Sequence, residues 1–176
     1  PDRPWRIMTI HPRRNSLIRP SVANLDGLVI ILSAADPPPD FYLVDKLLAM
    51  CLIHQIEPLL CLTKTDLVGA GQIGPPIDLL GPYRPVGCGL IETSPLDDAG
   101  LEQLRHWIAG RTVCLTGQSG VGKSTLLNRL CGQVFMLVGD LSEKISRGRH
   151  TTREVVFFPY AGGYLADTPG FSSLEL

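Results

Sequence analysis

The order of three short motifs constrains this chain more than anything else in it. Thr63-Lys64-Thr65-Asp66 comes first, Gly117-Gln118-Ser119-Gly120-Val121-Gly122-Lys123-Ser124 comes second, and Asp167-Thr168-Pro169-Gly170 comes last. Each follows an apolar run of strand length, so each is read as a loop at a strand end. The middle motif has the composition of a phosphate-cradling loop, and the other two take their meaning from where they stand relative to it.

Composition sets the outer limits. At 176 residues, 44% hydrophobic and 19% charged, the chain suits one well-packed domain with one core. Its apolar runs, such as Gly27 to Leu32, are too short to span a membrane, and no basic-then-apolar leader opens it. The expectation is a cytoplasmic protein, monomeric and without a membrane partner. Cys51, Cys61, Cys88, Cys114 and Cys131 lie far apart with no Cys-x-x-Cys pair, which favours buried free thiols over disulfides or a zinc site. The net charge of −1 argues against a uniformly basic nucleic-acid binder. Basic residues are nevertheless clustered, at Arg3, Arg6, Arg13, Arg14 and Arg19 and again at Lys144, Arg147, Arg149, His150 and Arg153. On charge alone, such runs are solvated surface.

Strands and helices alternate along the chain. Gly27 to Ser33 is an apolar run suited to a strand buried on both faces. Asp40 can cap a helix whose apolar spacing runs through Phe41, Val44, Leu47, Leu48, Cys51 and Leu52. Glu57 to Leu62, Gly87 to Thr93 and Arg111 to Thr116 read as further strands. Asp98 to Ile108 and Lys123 to Leu130 read as helices, and Val155 to Tyr160 with Gly163 to Ala166 as a hairpin. Six strands with intervening helices predict a three-layer α/β fold around a mostly parallel sheet.

The glycines of Gly117 to Lys123 allow successive backbone N–H groups to turn inward around phosphate oxygens. Lys123 adds a positive charge, the Ser124 hydroxyl can ligate Mg²⁺, and Thr125 beside it is a further candidate nucleotide contact. Asp167 can hold Mg²⁺ through water, and the Gly170 N–H can meet a γ-phosphate. Asp66 can accept hydrogen bonds from the N1–H and exocyclic amine of guanine, a pattern that adenine lacks, while Lys64 can lie along the base. An ordinary GTP-binding domain carries its guanine-reading motif after the other two. Here it comes first, which is the order of a circularly permuted GTPase with a P-loop fold.

Several stretches carry a resemblance that runs over nearly the whole length: Pro12 to Pro20 with Ala23 to Asp26, Gly120 to Ser124, Gly148 to Thr152, and Asp167 to Phe171. The chain resembles the RsgA (YjeQ) family, bacterial ribosome small-subunit-dependent GTPases that are circularly permuted. That resemblance implies GTP hydrolysis to GDP in late maturation of the small ribosomal subunit, with ribosomal RNA as partner. It turns Arg13, Arg14, Arg147, Arg149 and Arg153 into candidate RNA contacts. It also makes Thr151 or Thr152 the second protein ligand for Mg²⁺.

Family members carry an N-terminal OB-fold domain and a C-terminal zinc domain. Residues 1–20 are expected to be a remnant of the first domain and its linker, and 21–176 the permuted GTPase domain without its last helix. Zinc belongs to the full-length family and is not assigned to these residues. Two departures concern the base. Thr63 replaces the usual Asn, which removes an amide that could contact guanine and brace the phosphate loop. Pro95 falls where an N–H would meet the guanine O6, and proline has none, so either the register shifts to Ser94 or the contact is missing.

Turnover is expected to be slow. Phe171 stands where a familiar GTPase has the Gln that orients water, and a supplied catalytic group is worth about 10³ to 10⁵ in rate. Lys123 and His150 are the candidate catalytic residues. His150 could reach the water once RNA orders the segment, or serve only as an RNA contact. Two alternatives stay open: a nucleotide-gated rRNA-binding module with negligible hydrolysis, and an ATP-using P-loop enzyme.

Overall fold

The computed structural model describes residues 6–18, 21–68, 78–131 and 155–167, and for Asp167 only the backbone. Arg147, Arg149, His150, Thr151, Thr152, Arg153, Gly170 and Phe171 lie outside the described residues. A short antiparallel ladder comes first, formed by β1 (Ser16–Leu17) and β2 (Val22–Ala23). The main sheet contains β3 (Gly27–Ser33), β4 (Glu57–Thr63), β5 (Gly89–Glu92), β6 (Thr112–Gly117), β7 (Val156–Tyr160) and β8 (Gly163–Asp167), with spatial order β5-β4-β3-β6-β8-β7. All neighbours run parallel except β7, which forms a hairpin with β8. Among the described residues the α-helices are α1 (Phe41–His54), α2 (Ala99–Ile108) and α3 (Lys123–Cys131).

The apolar run of β3 is continuous because both of its faces are covered. Leu28, Ile30 and Leu32 enter one core with Leu47 and Leu48 of α1. Val29 and Ile31 point the other way, into a core with Leu104 and Ile108 of α2 and Leu127 of α3. The same alternation divides β4, with Leu60 and Leu62 in the first core and Leu59 and Cys61 in the second. Three layers follow from a period of two.

Asp40 caps α1 by accepting the Leu43 N–H at 3.0 Å. The buried stripe of that helix is Leu43, Val44, Leu47, Leu48 and Cys51. Leu52 departs from the predicted apolar face and is 70% exposed. The chain leaves α1 through Gln55, in the left-handed region at φ 55°, and Ile56 fills the core beyond it. Phe41 is likewise only half-buried and stacks on Tyr83, with ring centroids 6.3 Å apart. All five cysteines are free, with Cys51, Cys61 and Cys114 fully buried.

Two features between the predicted elements gave no periodic signal. One is the 3-10 segment Gly81–Val86; the other is the β1–β2 ladder, each strand of which has only two residues. That ladder crosses residue 20, and Leu17 and Val22 are buried in the first core.

Candidate nucleotide-binding site

Parallel strands bring their C-terminal ends to one edge, where the first two motifs stand together with Asp167, the first residue of the third. β6 ends at Gly117 and leads through the phosphate loop into α3. β4, two strands away, ends at Thr63 and delivers Lys64, Thr65 and Asp66. β8 pairs with β6 so that Asp167 stands opposite Leu115, two residues before Gly117. Read from β6 onward and then back to the chain start, the strands run β6, β7, β8, β3, β4, β5. The permutation therefore changes connectivity and leaves the sheet edge intact.

The phosphate loop needs its glycines. Gly120 and Gly122 adopt φ of 83° and 94°, a region that side chains disfavour. A Cβ on Gly117 would lie 2.4 Å from the Ile31 carbonyl oxygen. Val121 is fully buried and anchors the loop in the second core, whereas Ser119, Ser124 and Thr125 remain exposed. Gln118 Oε1 accepts the Asp40 N–H at 3.2 Å and so ties the loop to the start of α1. Lys123 Nζ is shielded from solvent.

Thr63 and Lys64 brace this loop from β4. The Thr63 hydroxyl lies 2.5 Å from the Val121 carbonyl and 3.1 Å from that of Leu32, so its single proton is shared between two acceptors. The expected loss of an amide brace at this position is therefore corrected: the hydroxyl itself reaches the phosphate loop. Lys64 is held in the left-handed region at φ 59°, and its ammonium donates to the Gly120 carbonyl at 2.8 Å and to that of Asp36. Its charge is spent on loop carbonyls while its stem borders the cleft next to them.

That cleft has a volume of about 240 Å³. Asp66, Ser94, Pro95 and Thr125 line it, with Gly122 at the phosphate-loop end. Asp66 Oδ1 is shut off from solvent and has no hydrogen-bond partner among the described residues. A buried carboxylate oxygen without a donor is costly, so it marks a place where a ligand can supply one. Thr65 Oγ1 donates to the Thr93 carbonyl at 3.2 Å and fixes the facing turn. Within that turn the Leu96 N–H is already bonded to Ser94 Oγ at 3.0 Å. Arg129 of α3 also borders the cleft, donating to the Ser94 carbonyl at 2.6 Å. Sequence reading missed Arg129, because 35 residues separate it from Ser94 and an Arg late in a helix carries no motif.

Of the candidate RNA contacts, Arg13 is exposed and Arg14 is anchored. Arg14 donates to Asp26 at 2.8 Å and to the Asn24 carbonyl at 3.0 Å. Asp26 also accepts the Thr112 N–H at 2.8 Å. Burial pushes the Asp26 carboxyl up, but the Thr112 N–H and the Arg14 and Arg111 guanidiniums outweigh it and hold it below the ordinary value.

Among the described residues, no helix is long and apolar enough to cross a membrane. A sequence model of the RsgA GTPase family matches residues 10–176. The small ribosomal subunit biogenesis GTPase RsgA of Alkaliphilus metalliredigens is 44% identical over 168 residues, which cover 95% of this chain and 56% of that protein. The protein of the same name from Caldanaerobacter subterraneus is 39% identical over 97% of this chain and 57% of its own length. The chain thus spans little more than half the length of these relatives. Among solved structures, YjeQ from Thermotoga maritima is similar with a TM-score of 0.68 at 28% identity, over 96% of this chain and 56% of that one. YloQ, a circularly permuted GTPase, is similar with a TM-score of 0.68 at 35% identity, over 96% and 52%. The sheet order, the motifs in the sequence and these matches agree, and the chain belongs to the RsgA GTPase family.

Proposed function

We propose that this chain binds GTP with Mg²⁺, hydrolyses it slowly to GDP, and acts in maturation of the small ribosomal subunit, which stimulates the hydrolysis. The observation that carries the guanine reading is the buried Asp66 Oδ1, without a partner among the described residues, in a cleft that ends at the phosphate loop. A carboxylate there accepts from guanine N1–H and the 2-amino group, whereas adenine would leave it unpaired. At the opposite edge Pro95 has no N–H and that of Leu96 is taken, so Ser94 supplies the N–H for O6.

The phosphates are held by the N–H groups of Gly117 to Lys123 at the start of α3, where the helix dipole favours an anion. The donors for Mg²⁺ are hard oxygens: the exposed Ser124 hydroxyl, Asp167 at the neighbouring strand end, and Thr151 or Thr152. When bound, Mg²⁺ neutralises charge that develops between the β- and γ-phosphates. Lys123 adds its charge at the same phosphates, and His150 is the group proposed to orient the attacking water.

Residues 21–176 form the proposed GTPase domain, and 1–20 the end of a preceding domain and linker. The sheet lying within residues 27–167 supports the second unit, while the β1–β2 ladder and the buried Leu17 tie residues 16–17 to it across that boundary. The relatives' names support the small subunit as partner. Arg13, Arg147, Arg149 and Arg153, with Arg14 as the anchored member, are the proposed RNA contacts. The protein acts as a cytoplasmic monomer in this reading.

Single-turnover and steady-state hydrolysis of GTP, with and without purified small subunits, test the reading. Slow basal turnover with clear stimulation is expected, and His150→Ala should reduce the stimulated rate while leaving GTP affinity unchanged. Turnover that small subunits do not alter would contradict it, and full stimulation in His150→Ala would remove the histidine from the chemistry.

A further inference from the structure

One side chain ties the two walls of the base cleft together. Arg129 belongs to α3, the helix whose first residue is the phosphate-loop lysine. Its Nη1 donates to the Ser94 carbonyl at 2.6 Å and its Nη2 to Asp98 Oδ1 at 2.6 Å. The Arg129 side chain is only 24% exposed, although Asp98 is largely in water. Its own carbonyl accepts Arg105 Nη2 from α2 at 3.0 Å, which holds the last turn of α3 in place. The guanidinium places two separate nitrogens on these acceptors, one on the carbonyl and one on the carboxylate, a fixed spacing that a single ammonium nitrogen does not reproduce.

The bond to Ser94 matters because of what surrounds it. The Thr93 carbonyl is fixed by Thr65 Oγ1 of the guanine motif, and the next carbonyl, that of Ser94, is fixed by Arg129. Between those two carbonyls lies the Ser94 N–H. With Pro95 lacking an N–H and Leu96 already engaged, a small tilt of this turn removes its donor from the base.

We propose that Arg129 is a specificity-determining positioning residue, which holds the Ser94–Asp98 turn so that Ser94 reads the 6-oxo group of guanine. It thereby couples base reading to the helix that carries the phosphate loop. The inference rests on the guanine reading of the cleft.

The test compares dissociation constants of GDP, 6-thio-GDP, IDP and ADP for the whole chain and for Arg129→Ala and Arg129→Lys, with thermal unfolding as the check on folding. Sulfur at position 6 is a poorer acceptor than oxygen, so the parent chain should prefer GDP over 6-thio-GDP by about five- to tenfold. In Arg129→Ala that preference should fall to about unity, and Arg129→Lys, which can reach one acceptor, should lie between. The preference for GDP over IDP reports the 2-amino group at Asp66 and should survive in both variants. If Arg129→Ala does not fold, Arg129→Lys carries the same comparison. The proposal is overturned if the variants keep the parent's discrimination at position 6, or if both preferences collapse together, which would mean general loosening. A parent chain that binds ADP as well as GDP would instead overturn the guanine reading itself, and the role of Arg129 with it.

Discussion

The Thr63 hydroxyl lies 2.5 Å from the Val121 carbonyl oxygen, joining the end of β4 to the phosphate loop across 58 residues of chain. Gly122 beside it is required by its backbone, at φ 94°, rather than by space, since a Cβ there would meet Thr63 Oγ1 only at an ordinary contact distance of 3.7 Å. The proposed base-reading and phosphate-holding halves of the site are thus linked by a hydrogen bond from a buried Thr.

Thr63→Val keeps the volume and removes that bond. It should lower stability by about 1 to 2 kcal/mol, because the carbonyls of Val121 and Leu32 lose a donor, and should weaken GTP and GDP binding alike. Thr63→Ser should retain most of both. Denaturant unfolding together with nucleotide titration checks this, and a Val variant that binds as tightly as the parent would separate Thr63 from the phosphate loop.

Much of this fold was legible because the buried parallel strands are short apolar runs, and their ends carry the motifs. β3 runs from Gly27 to Ser33 as predicted, and α2 buries Leu101, Leu104 and Ile108 as its periodicity requires. What could not be read depends on contacts between distant residues. Leu52 has the right spacing but lies in the last turn of α1, beside rather than on the stripe of Val44, Leu47, Leu48 and Cys51, so it faces solvent. Thr63 looked like the loss of a brace because a sequence names the missing amide and not the carbonyl that a hydroxyl can reach. Arg14 read as one charge among several, whereas the structure commits it to Asp26 and Asn24.

Asp66→Asn converts one of the two carboxylate oxygens into a donor. Affinity for GTP should fall by at least about tenfold and affinity for xanthosine triphosphate should rise, because the extra carbonyl of xanthine meets the new N–H. Competition titrations read both. Unchanged GTP affinity would take Asp66 out of the base site.

The Arg14–Asp26–Thr112 junction gives an acid dependence. The Asp26 carboxyl is held below its ordinary value in the folded chain, so the native state binds this proton less readily than the unfolded one. Its contribution to stability is present above the unfolded value, near 3.8, and is lost as pH falls through the folded one. Asp26→Asn should therefore be less stable than the parent at neutral pH, with the difference shrinking below pH 4. Unfolding curves across pH 2 to 7 check it, and a gap independent of pH would contradict the assignment.

Burial pushes the Cys51 and Cys61 thiols up to about 12, with the Thr93 hydroxyl opposing that rise at Cys61. Both should resist thiol reagents at pH 8 in the native state, where thiolate is on the order of one part in 10⁴. A raised folded value means that stability is complete below the ordinary thiol range and declines as pH climbs through 9 toward 12. Labelling followed by peptide mapping should find Cys51, Cys61 and Cys114 protected until denaturant is added. Rapid native labelling of Cys61 would contradict the packing of the second core.

Most directly, the account stands on guanine recognition in a site that also holds phosphate. Purified protein titrated with fluorescent GTP in the presence of Mg²⁺ should bind saturably and be displaced by unlabelled GTP or GDP, while about a hundredfold excess of ATP leaves the probe in place. Lys123→Ala and Ser124→Ala should lose this binding yet unfold as cooperatively as the parent. Displacement by ATP at the same concentration as GTP would contradict the account.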